Sequence, residues 1–292
     1  MSAYGTRSIK PGKRYKRTRA EMERLRDGLF EIVESECPTT VRHVFYVAVS
    51  KGLIGKTEKD YKGIVVRLLT KMRKEGRIPF SWISDNTRWV LQSRTYRSKK
   101  EALDHFAAVY RRDLWDGQDV RVEVWCEKDA IAGIASRVAN RWCVPTMVFR
   151  GYSSHSYLYS IAEEIREQGR PTFIYYVGDY DPSGVDIQRY VTKTVREYAP
   201  EAEIHFERIA VTAEQIRKFR LPTEPTKDTD SRSAAFGRKR SVQVDAMDTR
   251  ELERLVDGAI TQHLNMVEVG VLRTIEEEER QGLKKLLRRW QR

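Results

Sequence analysis

The chain has 292 residues, 40% hydrophobic and 33% charged, which allows two modest domains or one large one. No run of about 18 apolar residues occurs, so a membrane span is not expected, and the basic, polar first 19 residues lack the apolar core of a secretory signal. The net charge of +12 favours polyanionic partners, because each neutralised phosphate releases condensed counterions. Three cysteines, Cys37, Cys126 and Cys143, with no CxxC pair, argue against a disulfide framework or a cysteine-rich zinc site and fit a reducing cytoplasm.

Residues 1–19 read as a basic arm that tracks phosphates, with Arg14 and Arg17 among its cations. A helix is predicted over 19–36, from Met22, Leu25, Leu29, Phe30 and Val33 at near-helical spacing. Thr40 caps a second helix over 41–51, and Thr57, with Asp60 three residues on, caps a third over 58–75. On the third, Tyr61, Ile64, Val65, Leu68 and Met72 form the apolar face, while Lys62, Arg67, Lys71 and Arg73 are offered to DNA. Helix, short glycine-containing turn and basic helix follow helix-turn-helix logic, and the apolar residues 78–90 around Ser84-Asp85-Asn86 read as a wing. A plain three-helix bundle is the competing arrangement for this domain, residues 20–97.

A linker helix over 98–115 precedes a change of texture. From residue 116 to the C-terminus, strands at 120–126, 144–149, 171–177 and 203–211 alternate with helices at 128–142, 155–168 and 182–198. That alternation predicts an α/β domain with a mostly parallel sheet. A long loop is expected over 221–241, then two helices over 249–263 and 268–290.

Open α/β sheets bind ligands at the carboxyl ends of their strands. Two ends here are acidic: the first strand runs into Glu127 and the third into Asp179 and Asp181, within Gly178-Asp179-Tyr180-Asp181-Pro182-Ser183-Gly184. Two aspartates two residues apart on extended chain face the same way. Hard oxygen ligands at one sheet edge suit Mg²⁺ (or Mn²⁺), with waters and substrate phosphate completing the shell. The bland alternative makes Asp179 a turn residue, Asp181 an N-cap and Glu127 a surface charge.

Glu127 followed by the Asp179–Gly184 string resembles the Toprim domain of the topoisomerase VI A subunit and of its relative, the meiotic double-strand-break transesterase. The upstream string Arg42-His43-Val44-Phe45-Tyr46 is similar to the Arg-x-x-aromatic-Tyr string that carries that family's nucleophile in a winged helix, with His43 where an acidic residue is often found. The resemblance runs over about residues 40–211 and is nearest to compact bacterial or phage relatives. It implies a winged-helix domain followed by a Toprim domain. It also implies Tyr46 as nucleophile with Arg42 beside it, Mg²⁺ on Glu127, Asp179 and Asp181, double-stranded DNA as substrate, a homodimer that shares active sites, and a separate ATPase subunit as a further partner.

Spacing gives Tyr46 independent weight: Val41, Val44, Phe45, Ala48 and Val49 make an apolar face, and Tyr46 falls to its polar side, one turn after Arg42. The alternative is a structural tyrosine with a buried ring and wet hydroxyl. Gly55-Lys56-Thr57 ends like a P-loop, but Ser50 stands where the first glycine is required, so no ATPase is expected in this chain. The five histidines lack zinc spacing, and the acidic run 276–279 reads as a solvated helix face. Three functions compete: tyrosine transesterase, Toprim nuclease using metal-activated water, and DNA-binding protein without catalysis.

Overall fold

A computed structural model describes residues 17–84, 93–151, 153–226, 232–237 and 240–290. Arg14 and the rest of the arm up to residue 16 lie outside these residues, as do Asp85, Asn86 and the later part of the predicted wing. The chain divides into two compact units, residues 1–84 and 85–292.

In the first unit, α1 (Arg19–Glu36) starts at a capping box: the Thr18 hydroxyl accepts from the Glu21 amide at 3.2 Å, and the Glu21 carboxylate accepts from the Thr18 amide at 2.7 Å. Leu25, Leu29, Ile32 and Val33 form its buried stripe. α2 (Val41–Ser50) is capped by Thr40 as expected. The predicted third helix is one helical run in three parts, α3 (Glu58–Asp60), a π-helical segment (Tyr61–Val66) and α4 (Arg67–Lys74), which buries Val65, Leu68, Leu69 and Met72. Of the predicted wing, the structure describes only the part before residue 85. There Phe80–Trp82 is a 3₁₀ turn, and Ile83 pairs with Thr39 in a parallel bridge. Pro79 removes a ladder donor here and pins its own φ, which favours a turn over a strand.

The second unit is α/β. After α5 (Lys99–Val109) come β1 (Arg121–Cys126), α6 (Asp129–Ala139), β2 (Thr146–Val148), α7 (His155–Gln168), β3 (Thr172–Val177), α8 (Pro182–Tyr198), β4 (Ile204–Ala210) and α9 (Ala213–Lys218). The four strands form one parallel sheet in the order β2-β1-β3-β4. Trp125, Ile174 and Tyr176 pack with Leu158, Ile161 and Ile165 of α7 and Ile187, Val191 and Val195 of α8. These two helices therefore cover one face of the sheet.

The predicted loop at 221–241 contains β5 (Glu224–Pro225), α10 (Ser233–Phe236) and β6 (Arg240–Ser241), with β5 and β6 antiparallel. A bridge between Tyr180 and Val242 then ties this segment to the acidic loop. α11 (Thr249–Thr261) packs on α6 and β4, and α12 (Met266–Trp290) packs on α5. The helix read as a linker thus belongs to the second unit. The acidic run is solvated only in part: Glu277 and Glu278 are exposed, whereas Glu276 and Glu279 turn to the chain after α5. Glu276 is buried and accepts from the Arg112 amide at 2.9 Å, and Glu279 accepts from the Tyr110 hydroxyl at 2.7 Å, fastening α12 to the chain after α5. No helix among the described residues is long and apolar enough to cross a membrane.

Candidate functional site

Parallel pairing of β1 with β3 sets Cys126 against Val177, so the residues that follow both strands emerge side by side. Glu127 and Asp179 are brought together there: Glu127 Oε2 accepts from the Asp179 amide at 2.8 Å. Both are buried, at 8% and 5% exposure, far below what a surface charge or turn residue would show. Asp181 lies on the same loop, and its Oδ1 accepts from the Gly184 amide at 2.7 Å, capping α8 with Pro182 in the first turn. The cap reading of Asp181 therefore holds for one of its oxygens.

Two residues that the sequence reading passed over complete the cluster. Lys128 places its ammonium 2.6 Å from Asp179 Oδ2 and 3.3 Å from Asp245 Oδ2. Asp245 is 2% exposed and arrives from the chain after β6, where the Val244 amide also donates to Asp179 Oδ1 at 3.0 Å. Lys128 was visible beside Glu127; Asp245 carried no local signal, because its place depends on the Tyr180–Val242 bridge.

Close approach requires glycine at two positions of the loop. A Cβ on Gly178 would come 2.7 Å from Glu127 Oε2, and one on Gly184 would collide with the Asp179 carbonyl oxygen and lie 3.0 Å from Glu127 Oε2. Gly184→Ala is expected to cost on the order of 2 kcal/mol, because backbone rather than a flexible side chain must give way. Denaturant unfolding checks this, and a midpoint equal to wild type would contradict the packing described.

Burial, then the neighbouring Asp179 charge, pushes the Glu127 carboxyl up to about 7, and burial likewise raises Asp179. Lys128 is held charged against its own burial by Asp179 and Asp245. Since the folded state binds the Glu127 proton more tightly than the unfolded chain, stability is fullest in acid and falls as pH rises from the ordinary carboxylate range to about 7. Glu127→Gln should abolish that fall and stabilise the metal-free protein by on the order of 3 kcal/mol above pH 7, at about 1.4 kcal/mol per tenfold change in proton affinity. Thermal melts at pH 5 and pH 8 in EDTA test it, and an equal effect at both would refute the assignment.

Among the described residues, no three His, Cys, Asp or Glu side chains gather into a ready-made metal cage. The donor set still suits a hard cation that keeps most of its water: Glu127, Asp179, Asp181 and Asp245 are oxygen donors, and a lysine ammonium already stands between two of them. Asp179 and Glu127 would hold such an ion, with Asp181 offering the oxygen not spent on the cap.

Tyr46 departs from expectation. It is 1% exposed, and α2 buries His43, Val44, Phe45, Tyr46 and Ala48 while Val41 and Val49 are only half-buried. The inward face is rotated because Phe45 and Tyr46 both pack inward, Phe45 meeting Tyr46 at 5.3 Å and Tyr61 at 5.2 Å. Two cations flank the Tyr46 ring, Arg42 at 5.9 Å and Lys56 at 5.3 Å from its centroid. Lys56, set aside as the remnant of a false P-loop, is thus a neighbour of the candidate nucleophile. Of the expected DNA-contacting residues, Arg67 is exposed, Lys62 pairs with Glu58 at 2.9 Å and Lys71 with Glu75 at 3.6 Å. Arg73 lies over Phe80 at 5.4 Å and Arg17 is 4.0 Å from Asp60. No family model matches the chain, and no curated protein matches it.

Proposed function

We propose that this protein is a metal-dependent DNA-cleaving enzyme of the topoisomerase VI A type, a winged-helix domain joined to a Toprim domain, with Tyr46 as nucleophile. The observation that carries the metal-dependent part is the buried pairing of Glu127 with Asp179 at the carboxyl edge of a parallel sheet. Buried carboxylates that are costly to ionise cluster at functional sites, where a bound cation offsets their cost. Bound Mg²⁺ would stabilise charge developing on the attacked phosphodiester.

In the proposed step the Tyr46 Oη forms a bond to phosphorus, the phosphorus–O3′ bond breaks, the phenolic proton passes to solvent and the 3′ oxygen takes up a proton. One phosphodiester is exchanged for another, so resealing needs no outside energy. A phenol with pKa about 10 is a weak nucleophile at neutral pH. Arg42 and Lys56 supply positive charge that favours its anion and draws in phosphate. Trapping a covalent protein–DNA adduct in denaturant tests the reading.

The burial of Tyr46 favours a second reading, hydrolysis by metal-activated water with Tyr46 structural. It predicts cleavage without adduct. Both readings require binding to double-stranded DNA through Arg14, Arg17, Lys62, Arg67, Lys71 and Arg73. Affinity should fall steeply with salt, and each phosphate contact removed should flatten the log–log slope by about 0.9. Filter binding across a salt series measures this, and a flat response would refute electrostatic binding. A homodimer and a separate ATPase subunit remain part of the transesterase proposal.

A further inference from the structure

We propose that Arg208 is the positioning residue of the acidic loop, holding the backbone that carries Asp179 and Asp181 in the shape that receives a divalent cation. This inference rests on the metal-dependent reading above. Arg208 projects from β4, and its part-buried guanidinium is directed at main-chain oxygens of the loop. Nη1 donates to the carbonyls of Gly178 and Asp179, both at 3.0 Å, and to that of Val211 at 3.4 Å. Nη2 donates to the Gly184 carbonyl at 3.1 Å, and Nε to Gln188 Oε1 at 2.6 Å. The plane of the group is backed by the Tyr176 ring, 4.9 Å away.

One rigid fork therefore ties the start of the acidic loop, at Gly178 and Asp179, to its end at Gly184 and to the first turns of α8. A guanidinium has five N–H donors in fixed directions, so it can hold several carbonyls in one geometry where a lysine ammonium cannot. Burial lowers the proton affinity of the guanidinium, and the Tyr176, Glu127 and Asp179 groups that it faces offset only part of that loss, while its charge opposes the repulsion between the two carboxylates. A buried cation is costly, and a well-packed apolar residue at this strand position would stabilise a sheet at least as well. Positioning the loop gives a physical reason for the charge.

The same kind of bond occurs away from the carboxylates, which supplies a control. Arg170 donates through Nη1 to the carbonyls of Trp115 and Gln118, both at 3.0 Å, beside the opposite end of β3. Removing it should cost stability alone.

The test is Mn²⁺ titration of the full chain, read by the electron paramagnetic resonance of free Mn²⁺ at a temperature where every variant is folded. Arg208→Met is expected to weaken Mn²⁺ binding on the order of 10- to 100-fold, the range for groups that orient metal ligands without touching the ion. Arg208→Lys should recover part of the loss, Gln188→Ala should weaken binding by a few-fold, and Arg170→Met should lower the melting temperature with affinity unchanged. If Arg208→Met does not fold, Arg208→Lys and Gln188→Ala decide. Arg208→Lys and Gln188→Ala proteins that fold and bind Mn²⁺ like wild type would overturn the inference while leaving the metal reading intact. Wild-type protein showing no Mn²⁺ binding that Asp179→Asn removes would overturn the metal reading, and the inference with it.

Discussion

Asp179→Asn is expected to reduce Mg²⁺-dependent DNA cleavage on the order of 10³-fold, the several kcal/mol that charge stabilisation at a phosphoryl centre supplies. The substitution removes a charge and with it the 2.6 Å pairing of Asp179 Oδ2 with the Lys128 ammonium. Asparagine keeps an oxygen for the Val244 amide, which donates to Asp179 Oδ1 at 3.0 Å, and Lys128 keeps Asp245 at 3.3 Å. Because burial raises the Asp179 pKa, neutralising it relieves a cost in the folded protein, so unfolding should not accompany the loss of activity. DNA affinity should be close to wild type, since the basic surface is untouched. Asp181→Asn should be milder: its side chain can still cap α8 through the bond to the Gly184 amide. Gel assays with supercoiled DNA, alongside binding and melting measurements, separate these effects. Full cleavage by Asp179→Asn, or by wild type in EDTA, would end the metal-dependent reading.

Tyr46→Phe should eliminate the covalent protein–DNA adduct and, under the transesterase reading, all cleavage. The change deletes one hydroxyl from a ring that is 1% exposed, at a stability cost of about 1 kcal/mol, so the fold and DNA binding should persist. The family resemblance implies that the tyrosine of one protomer works with the metal site of the other. Tyr46→Phe and Asp179→Ala proteins, each inactive alone, should then nick one strand when mixed, because one composite site per heterodimer is complete. The burial of Tyr46 adds a requirement: its hydroxyl must become accessible when DNA binds, so tyrosine modification at residue 46 should increase on DNA addition. Cleavage by Tyr46→Phe at the wild-type rate would make the residue structural and leave metal-activated water as the nucleophile. A mixture that stays inactive although heterodimers form would reject the shared site and leave action within one chain.

Local pattern alone accounts for several elements of this fold. The helices 19–36, 155–168 and 182–198 appear with the predicted bounds, because capping residues such as Thr18 and Asp181 and a regular apolar stripe specify ends and faces within one or two turns. The alternation of strand and helix likewise specifies a parallel sheet, and that sheet brings Glu127 and Asp179 to one edge. Tertiary structure decided the rest, for identifiable reasons. Which way Tyr46 faces depends on the packing of Phe45 against both Tyr46 and Tyr61, a choice that a helical wheel cannot weigh. The 3₁₀ turn at Phe80–Trp82 follows Pro79, which withdraws a donor, and its bridge from Ile83 reaches Thr39, far back in the chain. Glu276 looked solvated until Arg112 met it from a segment far away in the chain. Asp245 and Arg208 escaped the sequence reading altogether. Their importance lies in what they touch, Lys128 in one case and the carbonyls of the acidic loop in the other, and those contacts exist only once β4 and the segment after β6 have closed around the loop.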